Sequence, residues 1–211
     1  MNHLEVPRRY RTVAGSATAE IEVKRSRFIA AVARAETETE ARALVERARK
    51  EHWDARHHCS AFVLGPRSEI TRSSDDGEPA GTAGAPMLEV VKGAGLSDVS
   101  VVVTRYFGGV LLGAGGLVRA YGDAVRAGLE LAGVRERQLL ELWDLTVDHA
   151  DAARLENDLR ARGVAVRSVD YAEQATLHLA TDGDLPAVVR ELTAGSVAPT
   201  RAGEVWVDAL H

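Results

Sequence analysis

The chain has little cysteine, methionine or aromatic residue: one Cys, two Met, three Trp, four Tyr and three Phe in 211 residues. A single thiol, Cys59, excludes an intrachain disulfide and argues against structural zinc, which takes four ligands. There is no long apolar run, and the opening MNHLEVPRRY has no apolar signal core. A cytoplasmic protein with no membrane partner is therefore expected. There is no excess of positive charge either. A net charge of −5 argues against indiscriminate coating of nucleic acid, and no sequence-specific DNA binding is expected. A local basic face remains open near the N-terminus, where Arg8, Arg9, Arg11, Lys24, Arg25 and Arg27 outnumber Glu5, Glu20 and Glu22.

What is present is an ordinary globular composition, 45% apolar and 27% charged, in a length that holds one large domain or two small ones. The most informative stretch is Val99 to Leu117, VSVVVTRYFGGVLLGAGGL. It reads as a buried strand, a loop with Gly108, Gly109, Gly113, Gly115 and Gly116, and then a helix. Such a loop can cradle an anion: glycines allow close approach, and the first helical N–H groups point at the ligand. Arg105 and Arg119 would supply charge in a planar fork that suits phosphate. The competing reading is that these glycines only pack a helix on a sheet. The run has neither the GK[ST] of a Walker loop nor the dinucleotide fingerprint. Tyr106 and Phe107 face opposite sides of a strand; both are expected in the core, with Tyr106 the candidate for stacking on a base.

Residues 1–16 read as a weakly structured lead-in. Strands follow at Ile21/Val23 and Phe28–Val32, joined by Lys24-Arg25-Ser26. A helix from Thr37 places Ala41, Leu44, Val45 and Ala48 inside, with Glu38/Arg42 and Glu46/Lys50 as i,i+4 ion pairs. Strands at 57–64 and 67–73, a loop from Ser74, and a helix over 84–92 lead into the glycine-rich stretch. Gly133 ends the next helix. Beyond it the pattern restarts as βαββαβ, a ferredoxin-like order, with its first strand at Trp143/Leu145/Val147, Asp184 capping a helix and the last strand at Val205/Val207. The expected fold class is α+β, with domains at 17–133 and 137–208.

Two further groups carry possible chemistry. Asp75-Asp76-Gly77-Glu78 offers carboxylate oxygens but fits no calcium-loop pattern, so it reads as a solvated acidic turn. His57 and Cys59 share a strand face, which permits an imidazole–thiolate pair; a buried thiol beside structural histidines is the plainer alternative. No metal and no cofactor is expected.

Taken in order, Ser26-Arg27-Phe28, His57-His58-Cys59 with Ala61, Ser74-Asp75-Asp76-Gly77-Glu78-Pro79 with Gly81-Thr82-Ala83-Gly84, and Arg105-Tyr106-Phe107-Gly108-Gly109 through Arg119-Ala120-Tyr121 resemble the IMPACT family in its bacterial YigZ-type form. The resemblance implies a first domain of the ribosomal protein S5 domain 2-like fold. It also implies a tail similar to the last domain of elongation factor G. The eukaryotic member of that family regulates translation. The implied function is a non-enzymatic binding protein of the translation apparatus. Its partner would be RNA, the ribosome or a translation regulatory protein, held through Arg105, Tyr106, Arg119 and the glycine loop. One alternative is an enzyme for a small phosphorylated or nucleotide ligand, with Asp75 or Glu78 as base or metal ligand and His57 as acid. Another is a protein-interaction adaptor that binds no nucleic acid.

Overall fold

The computed structural model describes residues 7–209. The chain divides into two compact units, Met1–Arg137 and Gln138–His211, in keeping with an α+β fold of two domains.

The first unit is built on a five-stranded sheet. Its strands are β2 (Ala17–Val23), β3 (Ser26–Arg34), β4 (His57–Leu64), β5 (Ile70–Ser74) and β6 (Val99–Tyr106). They lie in the order β2-β3-β6-β4-β5, and each of the four neighbouring pairs is antiparallel. The central strands are nearly continuous apolar runs because helices cover both faces of the sheet. Helix α1 (Glu38–Glu51) packs Leu44 and Ala48 on Ala33 and Val102. On the other face α2 (Gly84–Gly93) and α3 (Ala114–Ala132) close the main core around Phe28, Val101, Val103, Met87 and Tyr121. Phe28 and Tyr121 meet edge to face at 5.2 Å.

Local sequence explains the helix ends. The Thr37 hydroxyl accepts from the Glu40 amide at 3.2 Å and starts α1. Gly133, at φ 65°, stops α3. Glu38 and Arg42 pair as expected, whereas Glu46 pairs with Arg49 at 3.3 Å instead of Lys50. The lead-in is not unstructured throughout: Arg9–Val13 form a strand, β1, that pairs with β7 (Val134–Val147). Its Arg9 bonds Glu136, and Tyr10 accepts from Arg137, ties that a reading of local pattern cannot see. Residues 1–6 of that lead-in, Glu5 among them, lie outside the described residues. The edge strand β5, which leads into the acidic loop, also starts later than expected, at Ile70, because Gly65 and Ser68 turn the chain at positive φ first.

The second unit follows with α4 (His149–Ala161), β8 (Ala165–Tyr171), β9 (Ala175–Thr181), α5 (Leu185–Thr193) and β10 (Thr200–Asp208). Strand β7 pairs with β9, β9 with β8, and β10 with β7, which is the ferredoxin-like strand arrangement. The core holds Leu145, Leu155, Leu159, Leu177, Leu179 and Leu185. Asp184 caps α5 through the Ala187 amide at 3.1 Å. Strands β7 and β10 both begin earlier than the alternation at Trp143 and Val205 suggests.

Candidate functional site

The Asp75–Gly84 loop is a folded clamp and not a solvated turn. One Asp75 oxygen accepts from the amides of Ala83 (3.0 Å) and Gly84 (2.8 Å), and the other from Gly81 (2.8 Å). Partial burial pushes the Asp75 carboxyl up, but these three N–H groups outweigh it and hold the group below its ordinary range. Asp76 accepts from the His58 amide at 2.7 Å and pairs with Arg49 at 3.0 Å. Gly84 must be glycine: a Cβ there would stand 2.7 Å from the Ser74 amide nitrogen.

Glu78 turns inward. It accepts from Arg105 at 2.7 Å and from the Tyr121 hydroxyl at 2.8 Å, with the side chains of Arg105 and Glu78 only 8% and 3% exposed. Cys59 extends this chain, with its Sγ 3.3 Å from the Tyr121 hydroxyl and 3.0 Å from the Asp75 carbonyl oxygen. Burial pushes the Cys59 thiol up to about 12, so at neutral pH it is a protonated donor and not a nucleophile. His57 does not bond it. The His57 Nδ1 instead lies 3.0 Å from the Asp76 carbonyl oxygen, which can only accept; Nδ1 therefore carries the proton and Nε2 is left over.

Arg105 is thus not an open phosphate ligand; its charge faces Glu78 in the interior. Nor are Tyr106 and Phe107 core residues. Tyr106 is half-buried on the α1 side, donates to Asp54 at 2.9 Å, and lies under the Arg27 guanidinium. Phe107 is 56% exposed, with the Arg105 guanidinium 5.6 Å from its ring centre. The outward aromatic is Phe107, because the strand ends at Tyr106 and no helix covers the next residue.

The glycine loop leaves β6 against the β2–β3 turn. A Cβ on Gly108 would fall 2.0 Å from the Arg25 carbonyl carbon, so only glycine fits, and the Gly108 amide donates to Ser26 Oγ at 3.2 Å. The turn is two residues long, Lys24 and Arg25, at φ 46° and 65°. Such hairpins favour Asn-Gly; two long cationic residues in the left-handed region cost about 1–2 kcal/mol each. Both are exposed, and neither has a hydrogen-bond or ion-pair partner among the described residues. Gly109 and Gly113 sit in the loop proper. Gly115 and Gly116 lie in the first turn of α3, which has neither an acidic residue nor a side-chain cap. Arg119 goes elsewhere: it borders a groove of about 860 Å³ between α2 and α3, with Val90, Val118 and Arg126.

Beside the loop lies a cleft of about 500 Å³, lined by Asp54, Arg56, His57, Arg105, Tyr106 and Phe107 with the exposed Leu111. It gathers His57 and Arg105, which are directly paired across β4 and β6. Asp75 and Glu78 do not line it. Sequence reasoning missed Asp54 and Arg56, which follow α1 with no motif to mark them. No cluster of three or more metal-ligating side chains occurs among the described residues. No helix among them is long and apolar enough to cross a membrane.

Fold and sequence together define a two-domain α+β protein. Residues 24–129 match the Impact N-terminal domain, and residues 145–196 match the Domain of unknown function DUF1949. The chain is 46% identical over 164 residues to the IMPACT family member YvyE of Bacillus subtilis, covering 78% of this chain and 76% of that one. It is 40% identical over 161 residues to the IMPACT family member YigZ of Escherichia coli, covering 75% and 79%. A crystal structure of a hypothetical protein matches with a TM-score of 0.65 at 36% identity, covering 91% of this chain and 96% of that one. The chain belongs to the IMPACT family.

Proposed function

We propose that this protein is a cytoplasmic, non-enzymatic binder of RNA in the translation apparatus, and that it grips RNA phosphates at the end of the first unit that carries the Lys24–Arg25 turn and the glycine loop. The observation that carries this reading is that turn. Two cations stand in a backbone conformation that opposes their side chains, packed closely against Gly108. Strain of this kind persists where surrounding structure over-determines it, and it suits a ligand site. Gly115 supports the reading: a Cβ there would meet nothing, so packing does not require glycine at this position in the first turn of α3, where unpaired N–H groups point outward. The exposed Phe107 adds a ring on which a base can stack. The carboxylates that a catalytic reading needs are occupied: Asp75 holds the loop, and Glu78 meets Arg105 and Tyr121.

The test is the affinity of a labelled single-stranded RNA as a function of KCl concentration. Affinity is expected to fall steeply with salt. The Lys24→Ala/Arg25→Ala variant is expected to bind more weakly, with the salt slope reduced by about 1–2. An unchanged affinity in the folded variant overturns the reading. Recovery of the native protein from lysate with and without nuclease then separates RNA or ribosome from a regulatory protein partner.

A further inference from the structure

The cleft beside the glycine loop has three kinds of wall within one volume of about 500 Å³, a size that takes a small ligand. One wall is cationic. Arg56 is exposed and has no partner among the described residues. Arg105 lines the cleft, but its side chain is 92% shielded and its Nη1 is held by Glu78, so it lends this wall positive charge and not a direct bond. His57 stands across the strand pair from Arg105. Its Nδ1 is fixed on the Asp76 carbonyl, which holds the ring at the edge of the cleft.

The second wall is aromatic. Phe107 presents an exposed ring, held by the Arg105 guanidinium at 5.6 Å from its centre. The third is a carboxylate. Asp54 accepts the Tyr106 hydroxyl at 2.9 Å through Oδ1, and this fixes its orientation at the cleft. A carboxylate with an oxygen to spare is an acceptor for vicinal hydroxyls, and a 2′-hydroxyl separates RNA from DNA. The Arg56 guanidinium for a phosphate, a carboxylate for a ribose diol and a ring for a base together describe one ligand.

We infer that the Asp54–Arg56–His57–Arg105–Phe107 cleft binds a ribonucleotide bearing a terminal phosphate monoester, either free or as the phosphorylated end of an RNA chain. This rests on the RNA reading only for the second of these sources. Internal RNA phosphates would contact the Lys24–Arg25 turn; the monoester would enter the cleft.

Trp53 adjoins Asp54 and is 82% exposed, so its fluorescence offers a readout beside calorimetry. The full chain is titrated with adenosine, AMP and dAMP, and with one oligoribonucleotide ending in a phosphate or a hydroxyl. AMP is expected to bind at least about tenfold more tightly than adenosine, since its phosphate adds charge-assisted hydrogen bonds that adenosine cannot make. dAMP is expected to bind more weakly than AMP. The phosphate-ended oligomer is expected to bind more tightly than its hydroxyl-ended twin. Arg56→Ala and Phe107→Ala, both surface changes, are expected to erase these preferences while the protein stays folded. They keep the test sound if an Arg105 variant fails to fold. Equal affinity for AMP and adenosine overturns the inference. If both oligomer forms also bind equally well, the RNA reading survives without it. A preference for AMP with no oligomer binding sustains the cleft with a free nucleotide and overturns the RNA reading.

Discussion

Arg105 donates to Glu78 at 2.7 Å across 27 positions of sequence, with both side chains nearly sealed from water. The pair joins the end of β6 to the acidic loop, and Tyr121 adds α3 through the same carboxylate oxygen. Removing one partner leaves a buried charge unmatched. Glu78→Ala is expected to lower the unfolding free energy by about 3–5 kcal/mol. A Glu78→Ala/Arg105→Met variant should lose less than the two single losses added together. Urea unfolding of the three variants measures this coupling.

Cys59 shares that network, and burial holds its thiol protonated. A thiol-specific reagent is expected to leave native protein unmodified on the time scale in which the urea-unfolded chain reacts fully. The native rate should track the rate of unfolding. Rapid modification of the folded protein would contradict the buried placement.

Asp75 provides acid sensitivity. Its carboxyl stands below the ordinary value in the folded protein despite the opposing effect of burial. Its contribution is therefore present above the unfolded value of about 3.9 and is lost as pH falls through the lower folded value. Asp75→Asn can keep the acceptor for Ala83 and Gly84, but it places an NH₂ against the Gly81 amide. The variant is expected to be less stable at neutral pH and to show a flatter acid limb when unfolding midpoints are compared across pH.

His178 acts in the opposite direction in the second unit. Its Nδ1 lies 2.6 Å from Asp144 and its Nε2 3.1 Å from Asp170, and these partners, Asp144 foremost, raise its pKa. The stabilisation is complete below the unfolded value of about 6.5 and is lost as pH rises through the higher folded value. The pair geometry is open to solvent, so the effect is small. His178→Gln is expected to remove the decline in thermal midpoint above about pH 6.5, as followed by circular dichroism.

The Lys24–Arg25 turn sets stability against binding. Replacing it with Asn-Gly supplies the residues that a two-residue hairpin favours, and is expected to raise stability by about 1 kcal/mol or more. The same change removes two cations and is expected to weaken RNA binding. A stabilised variant with undiminished binding would detach the strain from function.

Much of the fold was legible from local pattern. The uninterrupted VSVVV of β6 marks a strand covered on both faces, and Thr37, Gly133 and Asp184 mark helix ends through short-range hydrogen bonds and φ. The resemblance carried by the ordered motifs placed the family. These signals are local because backbone propensity, capping and periodicity act over a few residues.

What only tertiary structure decided is where each charge and ring goes. The sequence marks Arg105, Tyr106 and five glycines as one segment. The fold turns Arg105 inward to Glu78, moves the exposed ring to Phe107 and sends Arg119 to the groove between α2 and α3. It also brings Lys24 and Arg25 against Gly108, and Asp54 and Arg56 to the cleft. Sequence by itself marked a glycine-rich segment and its arginines as candidates for an anion. The packing of distant segments decided which of them are left unmatched, because the charge available to a ligand depends on neighbours far away in the chain.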